Sequence, residues 1–188
     1  MQGPLWLAAQ QRSSPHHDQR PAACRPELVV IHGISLPAGE FGGPWVDALF
    51  MGRWAELEAQ PALRELVGLR VSAHFFIRRQ GEVVQYVPMH LRAWHAGVSS
   101  WWGRASCNDF SLGVELEGTD TQAYSDAQYQ SLQQLLQVMH DFAPTLREVV
   151  GHSDIAPGRK TDPGPAFEAQ RLRLPSGCTF GGALRLPA

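Results

Sequence analysis

The chain has 188 residues, 44% hydrophobic and 18% charged, with 16 basic against 18 acidic side chains for a formal net charge of −2. That length and apolar content suit one domain around a single core and exclude wholesale disorder. The charge balance excludes a partner held mainly through phosphates, so no nucleic acid is expected.

No run of residues approaches the ~18 apolar positions of a membrane span, so none is expected. Cys24, Cys107 and Cys178 are odd in number and widely spaced, unlike a secreted disulfide scaffold. The short apolar patch from Leu5 to Ala9 lacks the length of a signal-peptide core, which points to a cytoplasmic location.

In chain order, residues 1–26 are polar and proline-punctuated and read as a loosely structured lead-in. Leu28 to Ile31 is a continuous apolar run ending at His32-Gly33, the pattern of a buried strand opening into a loop. Residues 36–44 are irregular, and a helix is expected from Trp45 into the fifties. Val71 to Ile77 and Val83 to Val87, separated by a glycine-containing turn, predict a hairpin. A loop at 94–104 carries Trp94, Trp101 and Trp102.

Ser111 to Glu117 alternates, with Leu112, Val114 and Leu116 on one side and Ser111, Gly113, Glu115 and Glu117 on the other. Tyr129, Leu132, Leu135, Leu136, Met139 and Phe142 recur at helical spacing. Ser125 and Gln128 have the form of a capping box, predicting a helix over about 126–142. Val149-Val150 leads into Gly151-His152, a further short helix is expected from Pro165, and residues 174–188 read as a flexible C-terminal tail.

The densest chemistry lies at 151–165, where His152, Asp154, Asp162 and Lys160 stand on a proline-stiffened backbone; Lys160 is the only lysine beside fifteen arginines. Zinc accepts imidazole nitrogen and carboxylate oxygen, and a catalytic site keeps three protein ligands and one open position. His152 and Asp162 can supply two of them, with His32 as third candidate because its apolar lead-in matches that of His152. Asp154 is an alternative to Asp162 on residue type alone.

The segments Val30 to His32, Asn108 to Gly118, and Gly151 to Pro165 resemble the zinc-dependent N-acetylmuramoyl-L-alanine amidases. The likeness is strongest to the cytoplasmic 1,6-anhydro-N-acetylmuramoyl-L-alanine amidases of cell-wall recycling (AmpD-like) and covers about residues 4–173. It implies an α/β fold, a central mixed β-sheet flanked by helices, with a single catalytic domain over 27–173. It also implies Zn2+ held by His32, His152 and Asp162.

The implied substrate is an anhydromuropeptide, cut between the lactyl group of the sugar and L-alanine. The resemblance assigns Glu115 as the proton-transferring group and Lys160 as donor to the oxyanion, roles that suit amide hydrolysis. Alternation alone does not choose between Glu115 and Glu117. Trp94, Asn108, Arg70 and Arg104 are candidate substrate contacts. His74, His90, His95 and His140 are assigned to packing or the groove wall, and His16-His17 to the tail.

Two positions depart from the family pattern. Gly33 stands where relatives often carry asparagine, and Ser106 where they often carry arginine. Three rival readings stay open: a broader amidase on intact peptidoglycan, a muropeptide-binding protein that does not cut, and a thiol hydrolase using Cys107. Nothing in the sequence demands more than a monomer.

Overall fold

A computed structural model describes Trp6 and residues 8–184. Two short strands come first, β1 (Gln10–Gln11) and β2 (His17–Gln19), followed by β3 (Leu28–Ile34) and helices α1 (Trp45–Phe50) and α2 (Trp54–Ala59). β4 (Phe75–Ile77), β5 (Val83–Gln85) and β6 (Leu91–Ala93) precede the small hairpin β7 (Ser100–Trp101) and β8 (Arg104–Ala105). Then come β9 (Ser111–Glu117), α3 (Asp126–Phe142), β10 (Glu148–Gly151), the one-turn α4 (His152–Ile155) and β11 (Thr179–Phe180).

Among the described residues, seven strands form one mixed sheet in the order β1-β5-β4-β9-β3-β10-β11. β4, β9, β3, β10 and β11 run parallel, while β5 is antiparallel to β4. Strand alternation sorts the side chains. Val29, Ile31, Phe75, Ile77, Leu112, Val114 and Leu116 pack on one face against Leu132, Leu135, Leu136 and Met139 of α3. Each such side chain contributes about 1.5–3 kcal/mol by leaving water.

The capping box expected at the start of α3 is present. Ser125 Oγ accepts from the Gln128 N–H, and the Ser125 N–H donates to Gln128 Oε1 at 3.0 Å. Gln128 also donates to the carbonyls of Ile77 and Glu117, sewing the helix start to the ends of β4 and β9.

The opposite sheet face is buried as well. Phe76, Val84 and Tyr86 pack against α1 and α2, and Leu28, Val30 and Val150 against Ala96, Cys107 and Phe110. The polar side of β9 is therefore turned into a covered site, and all seven residues of the strand are buried.

Three expectations are corrected. Within the lead-in, β1 joins the main sheet and β2 pairs with β6. His16 is 5% exposed, stacked between Trp54 and Trp94 at 5.4 and 6.3 Å. Proline there marks extended chain, which still pairs.

Within the expected tail, β11 extends the sheet, and Leu184 packs into the core beside α3. Residues 1–5, 7 and 185–188 of those two segments lie outside the described residues. Past Pro165 there is no α-helix among the described residues, only 3-10 turns at Ala169–Arg171 and Gly182–Leu184. A proline that fits a first helical turn fits an open turn equally well.

Candidate active site

The site forms at the carboxyl ends of the central parallel strands, where open α/β sheets generally place their ligands. His32 is the fifth residue of β3, directly opposite Glu115 of β9 in the ladder. On the other side of β3, Gly151 of β10 aligns with Ile31, so His152, the next residue, arrives beside His32. Asp162 returns from the following loop, where its carbonyl accepts from the Ser153 N–H at 3.0 Å.

Three atoms converge. His32 Nδ1 and His152 Nδ1 lie 2.9 Å apart, and Asp162 Oδ2 is 3.3 Å from the first and 3.1 Å from the second. A tetrahedral zinc with bonds of about 2.0–2.1 Å sets its ligand atoms about 3.3 Å apart, so this triangle matches one face of such a tetrahedron. His152 Nε2 faces the Ala96 carbonyl at 3.3 Å. A carbonyl only accepts, so Nε2 of the neutral ring holds the proton and Nδ1 presents a lone pair. Burial, opposed by the hydrogen bond and charge of Asp162, lowers the pKa of His32 to about 4, which keeps it neutral and able to ligate.

His152, Asp162, Glu115 and Lys160 line a single cavity of about 220 Å³ with an apolar wall that includes Leu36, Leu49 and Phe50. Glu115 is 9% exposed, and its Oε2 is buried without a hydrogen-bond partner among the described residues. Burial, reinforced by the nearby Asp162 charge and opposed by Lys160, holds its carboxyl well above the ordinary range. Lys160 is exposed at the rim. Glu117 is engaged elsewhere: its carboxylate accepts from the N–H groups of Gly42 and Arg79, at 2.6 and 3.0 Å.

The other candidates separate. Asp154 caps its own turn, accepting from the Gly151 N–H at 2.8 Å and the Ala183 N–H at 2.7 Å, and takes no part in the triangle. Arg104 lies at the opposite end of the sheet, paired with Glu27 at 2.9 Å and stacked over Phe110. Trp101 and Trp102 are at that same end, both donating to Glu148.

Arg70 is exposed between Leu69 and Val71, two residues of the cavity wall. Trp94 closes the stack over His16. Asn108 spends its Oδ1 on the backbone N–H groups of His95 and Ala96. Cys107 is fully buried, and that burial pushes its thiol pKa up, contrary to what a nucleophile needs.

The family model of N-acetylmuramoyl-L-alanine amidase (Amidase_2) matches residues 22–165. The chain belongs to this amidase family. It is 57% identical over 171 residues to the 1,6-anhydro-N-acetylmuramyl-L-alanine amidase AmpD of Escherichia coli (strain K12), covering 90% of this chain and 93% of that protein. It superposes on a crystal structure of a selenomethionine derivative of AmpD with a TM-score of 0.86 and 53% identity, covering 91% of this chain and 97% of that one.

A more distant family member, the N-acetylmuramyl-L-alanine amidase AmiD from E. coli, has been solved with the substrate anhydro-N-acetylmuramic acid-L-Ala-D-gamma-Glu-L-Lys. It superposes with a TM-score of 0.58 and 29% identity, over 81% of this chain and 59% of that one.

Two residues of the amidase site carried no signal in the sequence. His95 Nδ1 contacts His32 Nε2 at 3.0 Å. The Tyr124 hydroxyl, donating to the Pro163 carbonyl at 3.0 Å, occupies the space where a Cβ on Gly33 would stand. The space beside Gly33 is therefore filled from another element.

Proposed function

We propose that this chain is a zinc-dependent amidase that hydrolyses the bond between 1,6-anhydro-N-acetylmuramic acid and the L-alanine of the stem peptide, in cell-wall recycling. The triangle of two imidazole nitrogens and one carboxylate oxygen, opening on the cavity that Glu115 and Lys160 line, carries this reading. Support for the substrate comes from the relative of that name at 57% identity over 90% of the chain.

When bound, zinc lowers the pKa of a coordinated water towards 7 and polarises the scissile carbonyl. The residues of the chain do the rest. Glu115, raised in pKa by its burial, takes a proton from the attacking water and passes it to the departing nitrogen. Lys160 donates to the carbonyl oxygen as negative charge gathers there, an interaction worth roughly 10²–10³ in rate. The C–N bond breaks, the lactyl carboxylate keeps the water's oxygen, and L-alanine leaves with a free amine.

The test is mass spectrometry of products from purified protein given anhydromuramoyl tripeptide or intact peptidoglycan, with chelator and then with zinc restored. Free tripeptide from the anhydro substrate alone, lost on chelation and regained with zinc, is the expected result. Equal cleavage of both substrates assigns a broader amidase. Binding without cleavage of either overturns the enzymatic reading.

A further inference from the structure

We propose that the dipeptide His95-Ala96, anchored by the Asn108 carboxamide, orients both metal-ligating imidazoles, which makes Asn108 and His95 positioning residues and not substrate contacts. This rests on the metal reading above.

Asn108 Oδ1 accepts from the backbone N–H of His95 at 3.1 Å and of Ala96 at 2.8 Å. The loop beneath is itself tied down, since Arg20 Nη1 donates to the carbonyls of Asn108 and Asp109 at 3.0 and 3.1 Å. From this fixed dipeptide two acceptors reach the site. The Ala96 carbonyl faces His152 Nε2, and His95 Nδ1 faces His32 Nε2. One short segment thus holds the outer nitrogen of each ligand.

The direction of the second contact follows from the far end of the chain. Ser111 Oγ donates to the Cys107 carbonyl at 2.6 Å, which leaves a lone pair towards His95 Nε2 at 3.2 Å. Nε2 of His95 therefore carries the proton, and its Nδ1 accepts from His32 Nε2–H. His32 is left with a lone pair on Nδ1, the atom that enters the triangle.

Gly113 completes the device, because a Cβ there would run into the His95 ring. Imidazole ligands generally donate their second nitrogen to such a partner, and losing it typically costs 10–100-fold in metal affinity.

Zinc dissociation constants, measured by competition with a chromophoric chelator, and ring-nitrogen NMR of the metal-free protein test the proposal. Asn108→Leu is expected to weaken zinc binding about 10–100-fold. Asn108→Asp, which keeps the accepting oxygen, is expected to restore most of that loss. Ser111→Ala, a change of one atom, weakens zinc as well and guards against a misfolded Asn108 variant. The spectra are expected to show the ring proton on Nε2 of both His32 and His95.

Wild-type zinc affinity in Asn108→Leu, with only KM raised, would make Asn108 a substrate contact and overturn the proposal. A proton on Nδ1 of His95 overturns it independently. Failure of the wild-type protein to bind zinc sinks the metal reading instead, and the tautomers still decide the chain.

Discussion

His32 and Glu115 stand opposite each other on β3 and β9, whereas Asp162 and Lys160 belong to the loop after α4. The strand half is buried, and the hydrogen bonds that place it are those of the central sheet. The loop half hangs on scattered tethers, among them the Ser153 N–H to the Asp162 carbonyl, Arg159 Nη2 to the carbonyls of Ala96 and Val98, both at 2.7 Å, and the Tyr124 hydroxyl to Pro163. In the strand half, chemistry and stability depend on the same atoms. In the loop half they come apart, because Lys160 is exposed at the cavity rim.

The largest effects separate the two halves directly. Lys160→Ala is expected to lower kcat roughly 10²–10³-fold while the melting temperature stays put, since surface changes cost about 0.5 kcal/mol or less. Glu115→Gln is expected to lower kcat roughly 10²–10⁴-fold and also to move the unfolding midpoint. A melting temperature that falls with Lys160→Ala would break the comparison.

Ending the chain at residue 174 removes β11 and Leu184, a loss of about 1.5–3 kcal/mol for that buried leucine alone. It also bares the edge of β10, the strand that delivers His152. A lower urea midpoint and concentration-dependent aggregation are expected. An unchanged midpoint would show that the C-terminal segment leans on the sheet without supporting it.

The smallest effect is a pH dependence. The pKa of Glu115 is raised in the folded protein, so as pH rises past about 4.5 the unfolded chain ionises there before the folded one does. Native stability falls with rising pH by at most about 1.4 kcal/mol per unit for this proton. Glu115→Gln is therefore expected to stabilise the metal-free protein at pH 7 and leave it unchanged at pH 4, read by urea unfolding. A gain of equal size at both pH values would trace it to packing and not to ionisation.

What the sequence disclosed follows the same division. Strands β3 and β9 and helix α3 were legible because each repeats a pattern long enough to have a period, and Ser125 with Gln128 marked where the helix starts. β1, β2 and β11 span two or three residues, too few for any period, so only tertiary pairing reveals them. His32 and His152 could be placed at strand ends from their apolar lead-ins.

The place of Asp162 came from family likeness. Arg104 was misplaced because nearness in sequence to position 106 says nothing about which end of the sheet a side chain reaches. His95 was one imidazole among eight, with no spacing to single it out, and Asn108 gave no sign that its carboxamide serves the backbone.

Gly33 and Tyr124 are far apart in sequence and share one volume. A side chain added at 33 while Tyr124 is intact meets its hydroxyl and pushes on the loop that carries Asp162. Replacing Tyr124 with phenylalanine first opens the space and leaves only a loosened Pro163. Both orders end in the same pair, but one route crosses an overpacked intermediate and the other a slack one. Any stepwise path by which this chain acquires a side chain at 33 therefore has a passable direction and a blocked one.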